Sequence, residues 1–364
     1  MDISCNNCGD AYPLDGLPYR CQTCGGLYDF LIPQPFNLSL VDRSQPGIWR
    51  YRHTFGLSSD SEPVSLGEGS TPLVWAGGFG RKFAFKCEFL NPSGSFKDRG
   101  SSVITAWLRS HGINEAVEDS SGNAGASFAA YAARAGIKAK VFVPESASGP
   151  KRRQIEAYGA ELITVAGSRA DVAEAAKAAA DGGTVYASHA YLPFNLPGYA
   201  TAAYEIFEQL GYKMPGAVVL PVGQGGLLLG LVRGFEALRI DNNTHHLTPK
   251  IIGVQVRACA PLWAAFTAGS AAAGLVADNH TVAEGVRVRS PLRREAVIGA
   301  VVASHGSLCV TDENEIIPGR DALARLGFYV EPTSAIVWPA LEQMKQDLPD
   351  PVVVILTGSG YKHE

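Results

Sequence analysis

The chain has 364 residues, 46% of them hydrophobic and 18% charged, with a formal net charge of −4. Such a length holds two or three domains, and the apolar fraction suits packed cores over disorder. The mildly acidic balance gives no electrostatic reason to expect nucleic acid or an anionic membrane as partner.

The first ten residues, MDISCNNCGD, have neither a basic start nor an apolar run, so no secretory signal is expected. No stretch approaches the ~20 apolar residues of a membrane span. Cys5-x2-Cys8 and Cys21-x2-Cys24 are separated by twelve residues, with Gly9 and Gly25 just after the pairs. Each short loop can aim two sulfurs at one ion, and four thiolates satisfy tetrahedral zinc. Two disulfides, or a ribbon without metal, are the other readings. Tight cysteine pairs in a chain without an export signal favour reduced thiolates and a cytoplasmic location. A site closed by Cys5, Cys8, Cys21 and Cys24 would be structural, with no open position for a substrate.

Residues 33–65 scatter Pro, Trp and Arg without period and read as an arm over the body. Strands and helices then alternate. Strands are predicted at 116–118, 138–143, 161–165 and 184–187, and helices at 126–134, at 150–158 and at 169–180. A second such region has strands at 217–222, 251–256 and 352–356, with a helix from 227. Short βα repeats of this kind build parallel sheets with helices on both faces. The expected fold class is α/β, with two doubly wound lobes and a cleft between them, plus the small N-terminal ribbon. The expected division is 1–32 for the ribbon, 33–100 with 190–364 for the large lobe, and 101–189 for the small lobe.

Four stretches carry chemistry. In NPSGSFKDRG, Lys97 follows Phe96 in a Ser/Gly-rich loop. Burial beside an aromatic ring disfavours an ammonium and lowers its pKa, which suits a lysine held as an imine with an aldehyde cofactor. A plain ion pair of Lys97 with Asp98 or Glu88 is the alternative. The second stretch holds Ser120, Ser121, Gly122, Asn123 and Ala124 at a strand-to-helix turn, where N–H groups and the dipole attract an anion. A simple cap by Ser121 or Asn123 is its bland alternative. The third holds Gly223, Gln224, Gly225, Gly226 and Leu227. It lacks the third glycine of a dinucleotide fingerprint and the Gly-Lys-Ser/Thr of a Walker loop, so it suits one terminal phosphate, or else a tight turn. The fourth, Thr357-Gly-Ser-Gly360, lies at the exit of a strand, where ligands of open α/β sheets bind. His53, His111, His189 and His305 show no spacing that suggests a metal site or a triad.

Together these stretches resemble the fold-type II family of pyridoxal-phosphate enzymes, and within it the threonine synthases and their relatives. The likeness extends through GEGSTPL at 67–73, GFYVEPTSA at 327–335 and the cysteine-rich start. It implies that Lys97 holds pyridoxal 5'-phosphate and serves as the catalytic base at the substrate Cα. It implies further that Asn123 bonds the ring hydroxyl and that Ser120, Ser121, Gly122, Asn123 and Ala124 grip the substrate carboxylate. Gly223, Gln224, Gly225, Gly226 and Leu227 would hold the phosphate, and Thr357 would meet the pyridine nitrogen. Ser188 is implied as a substrate contact. The implied reaction is that of threonine synthase, O-phosphohomoserine plus water to threonine plus phosphate, in amino-acid biosynthesis. The resemblance also implies a homodimer acting on a small amino-acid substrate.

Two departures count against a phosphorylated substrate. Asn195 stands where the family usually has an arginine, and Ala187 precedes Ser188 where an asparagine is usual. Losing a guanidinium removes a bidentate phosphate partner. Lys151, Arg152, Arg153, Arg287 and Arg289 are the candidate cations to replace it. A serine/threonine dehydratase, another ammonia-lyase or a β-replacement enzyme is therefore the second expectation. A non-catalytic protein that binds a partner through its zinc ribbon is the third.

Overall fold

A computed structural model describes residues 3–13, 15–30, 32, 35–145, 149–241 and 248–362. They form two compact units, one of Met1–Gly69 with Lys97–Tyr199 and one of Ser70–Phe96 with Ala200–His363. None of their helices is long and apolar enough to cross a membrane.

The first unit is built on a four-stranded, wholly parallel sheet in the order Glu161–Val165, Lys138–Pro144, Glu115–Glu118, Val185–Tyr186. The connecting helices are Asn123–Ala135, Pro150–Ala157 and Arg169–Asp181, each within three residues of its predicted bounds. Their ends follow local chemistry. Gly136 closes the first in the left-handed region at φ 73°, and Ser168 with Asp171 forms a capping box on the third. A further helix, Lys97–Ser110, was not expected as an element. Its buried Val103 and Ala106 join Ala130 and Tyr131 of the alanine-rich helix in one apolar cluster.

The arm at 33–65 was expected with the large lobe, but it belongs to the first unit. The cause is Glu68, a fully buried carboxylate. Its Oε1 accepts from Trp49 Nε1 at 2.9 Å and Ser102 Oγ at 2.7 Å, and its Oε2 from Tyr131 OH at 2.8 Å. A buried charge is tolerated only when its lone pairs are filled, so these donors bind the arm to both helices. The ribbon also lies in this unit. Its antiparallel strands Ile3–Cys5 and Tyr28–Phe30 pair Ile3 with Phe30. Ile3, Leu17, Tyr19 and Phe30 are buried in the same cluster as Ile104, Leu108 and Phe194.

The second unit carries a six-stranded sheet in the order Ser307–Thr311, Lys250–Val256, Ala217–Pro221, Val352–Ile355, Arg81–Lys86, Leu73–Gly78. Only the edge strand Leu73–Gly78 runs antiparallel, joined through Phe79 (φ 53°) and Gly80 (φ 80°). Two successive positive φ values are what a two-residue hairpin turn requires. The central strands Ala217–Pro221 and Val352–Ile355 are buried throughout and read as continuous apolar runs.

Candidate active site

In the first unit, Lys97 is the first residue of helix Lys97–Ser110. The chain before it is fastened in the second unit: Phe96 N–H donates to Thr357 O at 3.0 Å, and Ser359 N–H to Gly94 O at 2.9 Å. Burial lowers the Lys97 pKa to about 8; the charges of Glu118 and Asp119 oppose this and that of Arg169 adds to it. Asp98 is buried and accepts from Ser127 Oγ at 2.6 Å, tying this helix to Asn123–Ala135. Glu88, in the second unit, accepts from Thr71 Oγ1 at 2.7 Å and Asn91 Nδ2 at 2.9 Å.

The loop from Ser120 to Ala124 leaves the carboxyl end of strand Glu115–Glu118 and enters helix Asn123–Ala135. The bland alternative, a cap by Ser121 or Asn123, does not match the N-cap position. Gly122 is the N-cap residue, without a side-chain hydrogen bond, and Asn123 is already helical. The turn is tight: a Cβ on Gly125 would lie 1.8 Å from Ser120 O. The helix's first N–H groups have no partner further back within it, which makes this end a donor surface for an anion.

Sequence reading missed the charged groups whose fields reach Lys97. Glu118, the last residue of its strand, is 1% exposed. Its Oε1 lies 2.7 Å from His189 Nδ1, and its buried Oε2 has no hydrogen-bond partner among the described residues. Burial raises Glu118 to about 8, opposed by the charge of Lys97, and holds His189 well below its ordinary value. The signal available was an acidic pair directly before Ser-Ser-Gly-Asn at a strand's end. Asn195 Nδ2 donates to His189 O at 2.6 Å. Ser188 is buried beside this segment and accepts from Ala190 N–H at 3.3 Å.

In the second unit, the glycine turn leads from strand Ala217–Pro221 into helix Gly226–Asp241. Gly225 has φ +88°, and a Cβ there would lie 2.3 Å from Val297 Cγ2; one on Gly223 would lie 2.9 Å from Gly285 O. Gln224 Oε1 accepts from Leu292 N–H at 3.2 Å, which ties the turn down. Thr357 follows the last strand and is buried. Ser334 Oγ accepts from Thr357 N–H at 2.8 Å and Gly358 N–H at 2.9 Å, which fills both of its lone pairs. Ser334 Oγ also donates to Gly358 O at 3.3 Å and shares a hydrogen bond with Thr357 Oγ1 at 2.9 Å, in which either hydroxyl can be the donor.

Of the cations considered as replacements for the missing arginine, two serve local structure in the second unit. Arg287 Nε donates to Asp278 Oδ1 at 2.7 Å, and Arg289 bonds the carbonyls of Ala273 and Gly274. Arg169, which sequence reading passed over, is exposed in the first unit, and its charge reaches Lys97, Glu118 and His189.

A model of the pyridoxal-phosphate dependent enzymes matches residues 64–358. The chain belongs to this family. Threonine synthase of Methanocaldococcus jannaschii is 33% identical over 376 residues, covering 98% of this chain and 92% of the relative. That of Methanosarcina acetivorans is 32% identical over 345 residues, covering 92% and 84%. Among solved structures, a threonine deaminase from T.th. is similar with a TM-score of 0.67 at 29% identity, covering 79% of this chain and 92% of that one. An L-serine ammonia-lyase from Rhizomucor miehei gives 0.70 at 20% identity, covering 82% and 95%, a likeness of fold. The donor set fits the family's cofactor. Each unit taken by itself offers donors that suit parts of this cofactor: in the first, a buried lysine with a lowered pKa suits an aldehyde, and in the second, a glycine turn opening a helix suits a phosphate.

The ribbon cysteines converge. The sulfurs of Cys5, Cys8, Cys21 and Cys24 all lie within 4.8 Å of one another, with Cys5–Cys24 at 3.4 Å and Cys8–Cys21 at 3.6 Å. All four are free thiols, so the disulfide alternative is not realised. The two loops repeat one pattern: Cys5 N–H to Asp10 O and Gly9 N–H to Cys5 O, then Cys21 N–H to Gly26 O and Gly25 N–H to Cys21 O. Tetrahedral ligands with Zn–S near 2.3 Å have sulfurs about 3.8 Å apart, so this donor set suits zinc.

Proposed function

We propose that the chain is a pyridoxal-phosphate dependent lyase of the threonine synthase kind, converting O-phosphohomoserine and water to threonine and phosphate. The observation that carries this reading is the hydroxyl pair Ser334–Thr357, which offers the ring nitrogen a neutral donor. A neutral donor leaves that nitrogen unprotonated and tempers the ring as an electron sink, which favours elimination over transamination. The cofactor supplies stabilisation of negative charge at Cα when bound. Lys97 holds it and moves the Cα proton, and its lowered pKa leaves a fraction of the amine free at neutral pH. Asn123 bonds the ring hydroxyl. The N–H groups from Ser120 to Ala124 hold the carboxylate, with Ser188 supporting them, and those from Gly223 to Leu227 hold the phosphate. Arg169 is the guanidinium available to a substrate anion.

A second reading is favoured by Asn195, whose Nδ2 donates to His189 O where the family's arginine would meet a phosphate. On that reading the substrate is an unphosphorylated hydroxy amino acid and ammonia is released. One assay separates the two. Purified protein given O-phosphohomoserine releases phosphate and threonine in equal amounts under the first; ammonia from serine or threonine, with neither of those products, establishes the second. The ribbon holds one structural zinc, and the enzyme acts as a cytoplasmic homodimer.

A further inference from the structure

The ribbon packs against the segment that carries Ser188 and His189. Tyr19, two residues before Cys21, is buried and lies edge-on to Tyr186 and Tyr191, with ring centroids 5.2 and 5.1 Å away. Its hydroxyl donates to Asp181 Oδ1 at 3.3 Å. Tyr12, between the two cysteine pairs, lies edge-on to Phe194 at 5.4 Å and to Tyr28 at 4.6 Å. Tyr28 in turn pairs with Cys5 across the ribbon's two strands. We propose that Tyr12 and Tyr19 are positioning residues through which the ribbon holds the segment from Tyr186 to Asn195, so that zinc in the ribbon and order in that segment are coupled.

The segment has little regular structure of its own. Strand Val185–Tyr186 is two residues long, and from 187 to 194 the chain is turn and loop until helix Asn195–Gln209 begins. Its backbone is tied by Ala187 N–H to Val117 O at 2.8 Å and by Leu192 N–H to Ser188 O at 3.0 Å. Packing supplies the rest. Tyr186, Leu192 and Phe194 are buried in one cluster with Ile3, Leu17 and Tyr19 of the ribbon. Phe194 is also stacked on Trp107, with centroids 4.3 Å apart. Edge-on aromatic pairs are directional, so losing the ribbon's rings removes orientation as well as apolar cover.

The ribbon gives this support only while it is folded. A segment of about thirty residues is too short to order itself on apolar burial alone, so much of its order comes from the metal that its four converging sulfurs suit. Coupling between two sites is reciprocal, so whatever orders the segment also tightens the metal. That the segment meets substrate rests on the proposed role of Ser188; its support by the ribbon rests on the contacts alone.

The test is hydrogen exchange of the full-length protein, followed peptide by peptide by mass spectrometry and independent of turnover. Removing zinc with a chelator speeds exchange in peptides covering 187–195 by about tenfold or more, while those covering strand Ala217–Pro221 keep their rates. Tyr19→Ala, with all four cysteines in place, speeds the same peptides while zinc is retained, and Tyr19→Phe, which keeps the ring, restores the parent rates. For the substrate that turnover identifies, KM rises about 3- to 10-fold in Tyr19→Ala with kcat little changed. Tyr12→Leu serves as the second variant should Tyr19→Ala not fold. Parent rates at 187–195 in the variant that folds overturn the positioning role. Parent rates there after zinc loss has loosened the ribbon, or a parent that holds no zinc, overturn the coupling. Faster exchange with an unchanged KM removes the substrate role of Ser188 and leaves the support by the ribbon standing, so the two failures are told apart.

Discussion

Replacing Ser334 by alanine tests the hydroxyl pair most directly. The side chain is fully buried and makes three short contacts: it accepts from Thr357 N–H at 2.8 Å and Gly358 N–H at 2.9 Å, and shares a hydrogen bond with Thr357 Oγ1 at 2.9 Å. Alanine fits the space but leaves two buried N–H groups without this acceptor. An unsatisfied buried donor costs about 1–3 kcal/mol, and partial relaxation shared between neighbours brings the pair to about 2–4 kcal/mol. Unfolding by urea, followed by far-ultraviolet circular dichroism, reads this cost as a lowered midpoint with an unchanged slope. The same change frees Thr357 to turn its hydroxyl. Losing one oriented hydrogen bond to the ring, about 0.5–1.5 kcal/mol, weakens cofactor retention by about 2- to 10-fold. Fluorescence titration of the cofactor measures this. Wild-type stability together with wild-type retention would refute the reasoning, because either loss alone follows from the geometry.

Other outcomes follow from single residues. Lys86 Nζ, fully buried, bonds Glu205 Oε2 at 2.6 Å, Thr71 O at 2.7 Å and Gln209 Oε1 at 3.0 Å. Lys86→Met leaves the Glu205 charge buried and costs about 3–5 kcal/mol, whereas pairing it with Glu205→Leu recovers much of that; a double variant no better than the single would contradict it. Cys5→Ser removes one of the four converging sulfurs, and the purified variant holds well under one zinc per chain by atomic absorption where the parent holds one. The pH dependence has a defined sign. Glu118 is raised from 4.5 to about 8 on folding, so the folded chain binds the extra proton and this group lowers stability as pH rises from about 4.5 to 8. Lys97 is lowered from 10.5 to about 8, so the unfolded chain binds the extra proton and stability recovers from about 8 to 10.5. The difference in melting temperature between Glu118→Gln and parent therefore grows from pH 5 toward about 8, and a flat difference would rule the burial effect out.

The turns proposed to hold the cofactor were legible because their residues are demanded locally. Gly225 cannot be replaced at φ +88° with Val297 against it, and the Gly/Ser-rich entry to helix Asn123–Ala135 states its own geometry. Strand ends were placed to within a residue or two where β-branched runs met glycine or proline, as at Ala217–Pro221 and Val352–Ile355. Helix Lys97–Ser110 was not legible as an element, since Gly100, Ser101, Ser102 and Thr105 are weak helix formers and tertiary packing outweighs propensity there. What stayed hidden was pairing across long separations. Glu118 and His189 are 71 residues apart, and neither has a local pattern that marks it. Asn195 shows the difference in kind. Read along the chain it is an arginine lost from a family pattern, yet in space its carboxamide supports the segment that backs Glu118. If a phosphate dianion does enter this site, it meets the buried acid Glu118, whose proton affinity burial already raises, and which must stay protonated while it is there. Turnover of a phosphorylated substrate should then fall as pH rises past about 8, while that of an unphosphorylated one should not, so the pH profile distinguishes the two substrate classes without reference to the arginine.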